Sequence, residues 1–408
     1  MTKSSVLEPV KTRNLSPGFT LAAVGLAAAA IIALCLAIWP PSSTMSDLRV
    51  YYAAAKGFVD GEDIYTIHHK YPGMGLGFTY PPFAAMIMAP LAIGEHFARL
   101  LITVLSAISV MVIGLVTVRA VRPQWSRNRV LAAGLAFGTL GIALEPVRST
   151  FGMGQINLVL LALLMTDLLG HTPRRFRGVL IGVATGIKLT PGIFIVFLLV
   201  TKRFREAAVA SAATAGTLLL GYLVMPGPTV DFWTRYIFDP GRPGPAHYIS
   251  NQSVRGTLAR LLENSSMTGP LWLLAAVVIG SAGLMTARRL YAAGRPLDAI
   301  VATGITGLLV SPISWSNHWV WALPAVAVVW SWAARSNALK AFAAAWTVVF
   351  LIGLPWMAPW AHDQEFHHTF PQALVGNSYG IAAIAFLATG LIIAGSTAKS
   401  SDSAKVLR

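Results

Sequence analysis

The sequence predicts an all-α, polytopic integral membrane protein, and three observations carry that prediction. Apolar runs of roughly 17 to 22 residues recur along the chain, each about long enough to cross a bilayer. Only 12% of the residues are charged, about half the share of an ordinary soluble domain, so there is too little charge to cover a wetted surface. The 31 Lys and Arg residues crowd into short segments between the apolar runs, as residues that orient membrane helices do. A net charge of +15 on a soluble protein would point to nucleic acid. Here loop placement explains it, and the expected surroundings are membrane lipids, with no nucleic acid.

Residues 1–17 read as a cytoplasmic tail carrying Lys3, Lys11 and Arg13 ahead of the apolar stretch 18–39. That order resembles a signal peptide. The stretch is too long for one, however, and ends in Trp39-Pro40-Pro41 without a small-residue cleavage site. It therefore reads as a retained first span. Cys35 lies within it; a lone cysteine cannot form an internal disulfide and serves as a small packing residue. Further spans are expected near 97–118, 130–147, 156–170, 207–225, 271–287, 297–311, 318–334, 340–357 and 379–396. Stretch 178–200 is broken by Lys188-Leu189-Thr190-Pro191-Gly192. As a single crossing it would put Lys202, Arg203 and Arg205 on the opposite face from Arg174, Arg175 and Arg177, against the rule that such clusters share the cytoplasmic side. Two short helices that enter and return on one side fit better. Residues 82–94 form a second partial insertion. The expectation is one domain over 18–396 with about 10 to 12 transmembrane helices and re-entrant segments, followed by a polar cytoplasmic tail, 397–408.

This topology places 21 of the 31 basic residues inside and eight outside, with Arg99 and Lys188 in inserted stretches. Both termini are then cytoplasmic, in a multi-pass protein of the plasma membrane. The outer loops 40–96, 226–270 and 358–378 are long and hold seven of the nine histidines. Chemistry is therefore expected at the outer, extracytoplasmic face, where there is enough polar chain to build a site.

Asp47 directly follows the first span. An acid there can act at the bilayer surface on a substrate whose tail stays in lipid, although Asp before a helix is also a common N-cap. Glu145-Pro146-Val147-Arg148 and Gly152-Met153-Gly154-Gln155-Ile156-Asn157 form a short outer connection. Gln155 and Asn157 can bond sugar hydroxyls or cap the next helix. Lys188 is a functional candidate because a lysine among apolar residues is expensive; its expected cytoplasmic side weakens it as part of an outer site. Asn251, Gln252, Ser253 and Arg255 offer a dense set of sugar or phosphate partners, the arginine by its planar fork. Trp315, Trp319 and Trp321 fit an interfacial belt, and His318 among them can exchange a proton near neutral pH. His362, His367 and His368 lack the spacing of a metal site. With no Gly-rich phosphate loop or paired metal-binding carboxylates, no metal and no cofactor are expected.

Six short motifs occur in order: Asp47-Leu48-Arg49-Val50-Tyr51 with Ala53-Ala54, Tyr80-Pro81-Pro82-Phe83, Gly154-Gln155-Ile156-Asn157, Gly186-Ile187-Lys188-Leu189-Thr190-Pro191, Ser250-Asn251-Gln252-Ser253, and Ser311-Pro312-Ile313-Ser314-Trp315 with His318-Trp319. Together they resemble the actinobacterial polyprenyl-phosphate-mannose-dependent α-(1→2)-mannosyltransferases, glycosyltransferase family 87 of the GT-C superfamily. The family often has two histidines where Asn317-His318 stands, so only His318 takes over a role. The resemblance implies a polyprenyl-phosphate-β-mannose donor and a mannosylated lipid acceptor, a phosphatidylinositol mannoside or lipomannan. It implies inversion in one displacement, with Asp47 as the base and His318 and Arg255 stabilising the leaving phosphate. Tyr51, Gln155, Asn251, Trp315 and Lys188 are candidates for binding donor or acceptor. The competing reading is a transporter or flippase for a lipid-linked sugar, which would share the broken helix and intramembrane lysine. It should also show matching halves, and the sequence has no internal repeat.

Overall fold

The computed structural model describes residues 45–67, 77–239 and 241–406, with side chains as far as residue 396. The first expected span, 18–39, and Cys35 lie outside the described residues. Among the described residues the chain is helical throughout, with no strand.

The order begins with α1 (Ser46–Asp60), an amphipathic helix that ends at Gly61 in the left-handed conformation. The expected partial insertion becomes α2 (Pro82–Met88), with Pro82 at its first position, and a 3-10 turn, Ala89–Ile93. A proline suits a helix start because the missing N–H would be unpaired there anyway. Then follow α3 (Glu95–Val121), α4 (Arg127–Gly141), α5 (Glu145–Met153) and α6 (Asn157–Leu168). Helices α3 and α4 pack along one another through glycines: a Cβ on Gly114 would lie 2.2 Å from the carbonyl oxygen of Gly134. Such close backbone approach is how helices gain packing in lipid, where hydrophobicity supplies no driving force between them.

One expected span is corrected here. Residues 130–147 are not one straight crossing, because α4 and α5 are bent by 74° at their junction. Pro146 at the start of α5 prevents continuous pairing through the break.

The stretch 178–200 is a hairpin: α7 (Val179–Ile187), a 3-10 turn Thr190–Gly192 and α8 (Ile193–Val200). Both of its feet meet the C-terminal end of α6. The Gly178 N–H donates to Asp167 Oδ2 at 2.9 Å, and Arg203 Nη1 donates to the Leu168 carbonyl at 3.3 Å. The tip meets the other end of α6, where Lys188 Nζ donates to Asn157 Oδ1 at 2.9 Å. The 12 residues of α6 separate feet from tip by about 18 Å. Arg205 donates to the carbonyls of Arg174 and Arg175, so the two basic clusters do share one face.

The remainder runs α9 (Phe204–Val224), α10 (Pro226–Thr234), α11 (Val254–Leu261), α12 (Thr268–Ala292), α13 (Pro296–Val310), a 3-10 segment Ser316–Trp321, α14 (Ala322–Ala333), α15 (Asn337–Ile352), α16 (Phe370–Gly376) and α17 (Ser378–Val406). Four helices among the described residues, within α3, α9, α12 and α17, are long and apolar enough to cross a membrane, or up to five crossings if the bent α4–α5 pair counts as one. The other expected spans within the described residues are shorter helices, of 12 residues in α6 and α14, 15 in α13 and 16 in α15. Exposed Leu219, Leu220 and Leu223 on α9, and Leu273, Leu274 and Val277 on α12, give these helices the apolar outer faces that lipid requires.

Candidate active site

Asp47 sits in the first turn of α1, but it does not cap the helix. The preceding Met45 is in the left-handed conformation and no side chain caps the N-terminus. The carboxylate turns inward instead. Its Oδ2 accepts from Gln155 Nε2 at 2.7 Å and from Asn317 Nδ2 at 3.3 Å, while Oδ1 has no hydrogen-bond partner among the described residues. Two amides on one oxygen fix the plane of the carboxylate and leave the other oxygen available.

Gln155 is held as firmly as it holds Asp47. Gly154 is in the left-handed conformation (φ +65), where a Cβ would lie 2.7 Å from Leu48 Cβ of α1, and this turn delivers Gln155 at the end of α5. The Gln155 Oε1 then accepts from the Tyr51 hydroxyl, from the Tyr80 hydroxyl at 3.3 Å and from the Ile156 N–H at 2.9 Å. With its oxygen committed to three donors, the amide must point its NH2 at Asp47. Asn317 is anchored through its backbone: its carbonyl accepts from Thr150 Oγ1 and from Asn157 Nδ2, both at 2.9 Å.

Lys188, at the hairpin tip, faces the same cavity. Its ammonium donates to Asn157, lies 3.3 Å from His318 Nε2 and stands 5.4 Å from the centroid of the Tyr80 ring. A charged lysine can only donate, so His318 Nε2 accepts and the imidazole is neutral in this arrangement. The placement corrects the expectation that Lys188 belongs to the opposite face from Asp47. Its hairpin has the right feet, but it is deep enough to carry the tip through to the acid.

The cavity has a volume of about 230 Å3, and Asp47, Tyr51, Gln155, Lys188, Trp315 and His318 all line it. Burial pushes the Asp47 carboxyl above the usual carboxylate range, opposed in turn by the Gln155 hydrogen bond, the Lys188 charge and the Asn317 hydrogen bond. Burial likewise raises the Tyr51 hydroxyl well above its ordinary value, so it remains a donor. A half-desolvated, oriented carboxylate opposite a cation can take a proton from a hydroxyl and stabilise a departing anion.

Two sequence candidates lie elsewhere. Asn251 is wholly buried and outside the cavity wall. Its Nδ2 donates to the Ala246 carbonyl at 2.9 Å and the Pro312 carbonyl at 3.4 Å, and its Oδ1 accepts from the N–H groups of Ser253 at 3.3 Å and Ser314 at 2.9 Å. It shapes the loop and presents nothing to a substrate. Arg255 lines a neighbouring cavity instead, 5.7 Å from the Trp272 ring.

Sequence reading passed over Asn317, Tyr80 and Arg242. Tyr80 stood inside a quoted motif and Asn317 was noted only as standing where the family often has a histidine; Arg242 lay in a Gly-Arg-Pro-Gly turn with no motif to mark it. It also understated Glu145, which is a buried hub. Its Oε1 accepts from Ser316 Oγ at 3.1 Å and Trp356 Nε1 at 3.0 Å, and its Oε2 accepts from the Tyr379 hydroxyl at 2.7 Å. This ties the segment carrying Asn317 and His318 to α5 and α17. Among the described residues no group of three His, Cys, Asp or Glu side chains is placed to hold a metal. His368 Nε2 is instead 2.7 Å from the Pro359 carbonyl oxygen.

An apolar helix bundle with an oriented carboxylate and a cation facing one cavity is the framework of a membrane-embedded transferase. The chain belongs to glycosyltransferase family 87, whose sequence model matches residues 78–312; Asp47 precedes that segment and His318 follows it. It is 32% identical over 319 residues, 74% of each chain, to the polyprenol-phosphate-mannose-dependent α-(1-2)-phosphatidylinositol mannoside mannosyltransferase of Mycobacterium tuberculosis. It is 33% identical over 336 residues, 75% of this chain and 76% of the other, to the protein of the same name from Mycolicibacterium smegmatis. It is 31% identical over 357 residues, 85% of each chain, to the polyprenol-phosphate-mannose-dependent α-(1-2)-phosphatidylinositol pentamannoside mannosyltransferase of the latter organism. No solved structure matches the chain. The family supports an enzyme and lends nothing to the flippase reading.

Proposed function

We propose that the chain is an inverting α-1,2-mannosyltransferase that moves mannose from polyprenyl-phosphate-β-mannose to a mannosylated phosphatidylinositol lipid or lipomannan. The family and the names of its relatives support the donor, the linkage and the acceptor class. The observation that carries the mechanism is the asymmetric anchoring of Asp47, with two amides on Oδ2 and Oδ1 unengaged. Asp47 takes the proton of the acceptor 2-hydroxyl as that oxygen attacks the anomeric carbon. The bond from that carbon to the phosphate oxygen breaks, its electron pair leaves with the lipid phosphate, and β becomes α. Lys188 supplies positive charge toward the leaving phosphate and His318 orients the ammonium. Tyr51 holds Gln155 on Asp47, and Trp315 offers a ring face to sugar.

The test is transfer from a synthetic mannosyl polyprenyl phosphate by purified Asp47→Asn protein, with the glycosidic linkage of the product identified. Transfer should be lost while the protein remains folded; turnover equal to the unaltered enzyme would remove Asp47 as base. We further place the site at the extracytoplasmic face of the plasma membrane with both termini cytoplasmic, a reading supported by the distribution of basic residues over the segments. The Lys188 ammonium, oriented by His318, is positioned to take the leaving phosphate without a divalent ion or other cofactor. EDTA should then change the rate by less than about twofold, and inhibition reversed by added metal would overturn that part.

A further inference from the structure

A second cavity, of about 510 Å3, adjoins the one that contains Asp47. The two share a wall that includes Leu189, Thr190, Arg242, Pro243, Pro312 and Ile313. The second cavity continues away from Asp47 between the segment after α9 and the start of α12, two elements with exposed apolar side chains. Phe232, Tyr236 and Trp272 line it, as do Ile237 and Phe238. These last two are 37% and 75% exposed, so the lining reaches the molecular surface.

The charge on this wall is unbalanced. Arg242 Nη2 donates to the Phe78 carbonyl at 2.7 Å, and the guanidinium lies 4.1 Å from the Tyr236 ring centroid. Its Nε is buried with no hydrogen-bond partner among the described residues. Arg255 leans on Trp272 and forms no ion pair among the described residues. Asp239, the acid on this wall among the described residues, is engaged by the Gly241 N–H at 3.0 Å. Two guanidiniums without carboxylates, in an aromatic and apolar cavity, suit an anion joined to a hydrocarbon chain.

We propose that this second cavity holds the phosphate-proximal isoprenoid segment of the lipid donor, with Arg242 on the shared wall joining Lys188 at the phosphate and Arg255 drawing the anion inward from the far end of the cavity. This rests on the donor named above and adds where its lipid part lies. In a mannosyl lipid phosphate the sugar and the tail flank one phosphate. A sugar beside Asp47 thus places the phosphate at the shared wall and the tail beyond it. The acceptor's own phosphate is separated from its reacting hydroxyl by inositol and mannose residues, so a cation beside the sugar cavity suits the donor.

Gly269 gives a clean way to fill the second cavity. It lines the wall, and a Cβ built on it meets nothing within 4 Å. Initial rates of the purified full-length Gly269→Phe protein would be compared with a long polyprenyl donor and with a donor whose tail has one isoprenoid unit. KM for the long donor should rise about tenfold or more, against less than about threefold for the short one. Arg242→Gln should raise KM for both donors alike, because both keep the phosphate. An equal KM change for both donors in Gly269→Phe, or a rise confined to the acceptor KM, would overturn the assignment. If the donor class itself is wrong, the unaltered protein will transfer from neither donor, an outcome distinct from a misplaced tail. Retained transfer at saturating donor shows that the filled variant folds.

Discussion

Two polar regions of this protein looked equally promising, and their atoms are used in opposite ways. In the loop Ser250–Ser253 almost every polar group is spent on the fold. Asn251 bonds four backbone groups. Gln252 Nε2 donates to the carbonyls of Ile249 and Gly376, both at 2.7 Å, and Ser253 Oγ caps α11 by accepting from the Gly256 N–H at 3.1 Å. Arg260 beneath them donates to the carbonyls of His247, Tyr248 and Asn251. Around Asp47 the side chains hold one another, and what is left over belongs to residues that line a cavity: Asp47 Oδ1 and the third N–H of the Lys188 ammonium. Density of polar residues therefore does not mark a site. Unspent hydrogen-bonding capacity on a cavity wall does, because a buried group left unpaired costs stability unless a substrate uses it.

The largest effect should come from Asp47→Asn. The amide keeps the shape and one oxygen but cannot accept the proton, so kcat should fall by about 10²–10⁴. Thermal unfolding should change little. A variant that loses activity only in proportion to folded protein would make Asp47 part of the scaffold and erase the contrast.

Lys188→Met comes next, with an expected loss of about 10–100-fold in kcat and a shift in pH dependence whose sign is fixed. The lysine charge holds the Asp47 carboxyl below the value that burial alone would give. Removing it raises that value further, so the acid limb of the kcat/KM profile should move to higher pH. The rate is lost as pH falls through the Asp47 pKa, because only the ionised form accepts a proton. An acid limb that stays in place while kcat drops would separate Lys188 from Asp47. Asn317→Ala should move the limb in the same direction by less, since its bond to Asp47 is 3.3 Å against 2.7 Å for Gln155. Gln155→Leu is the direct comparison, and a larger shift from Asn317→Ala would reverse the assigned order.

Much of this was legible in the sequence, for reasons that explain the rest. Apolar period and length showed where helices lie, and the basic clusters at 174–177 and 202–205 showed that 178–200 returns on itself. The same charge rule misassigned Lys188, because it constrains the feet of a hairpin and says nothing of how deep the tip goes. The break between α4 and α5 was marked by Glu145-Pro146, but the apolar length of 130–144 drew the expected span across it to 147. Asp47, Gln155 and His318 were found from motifs, yet their mutual orientation depends on contacts between residues such as Gln155 and Asp47, 108 positions apart. Asn251 carried the same kind of signal as Gln155. Only burial and bond partners distinguish them.

Asn251→Ala therefore tests the other side of the contrast, with the smallest expected effect on turnover. It should leave kcat and both KM values within about threefold, since Asn251 touches neither cavity. It strips an acceptor from the buried Ser314 N–H and donors from the Ala246 and Pro312 carbonyls, which should cost about 1–3 kcal/mol of stability. That loss should appear as a lower midpoint of thermal unfolding in detergent. Restoring the amide one methylene farther out, in Asn251→Gln, should not recover it, because the four bonds require the shorter reach. A raised acceptor KM with an unchanged midpoint would instead make this loop a substrate surface, and spent hydrogen bonds would no longer separate scaffold from site.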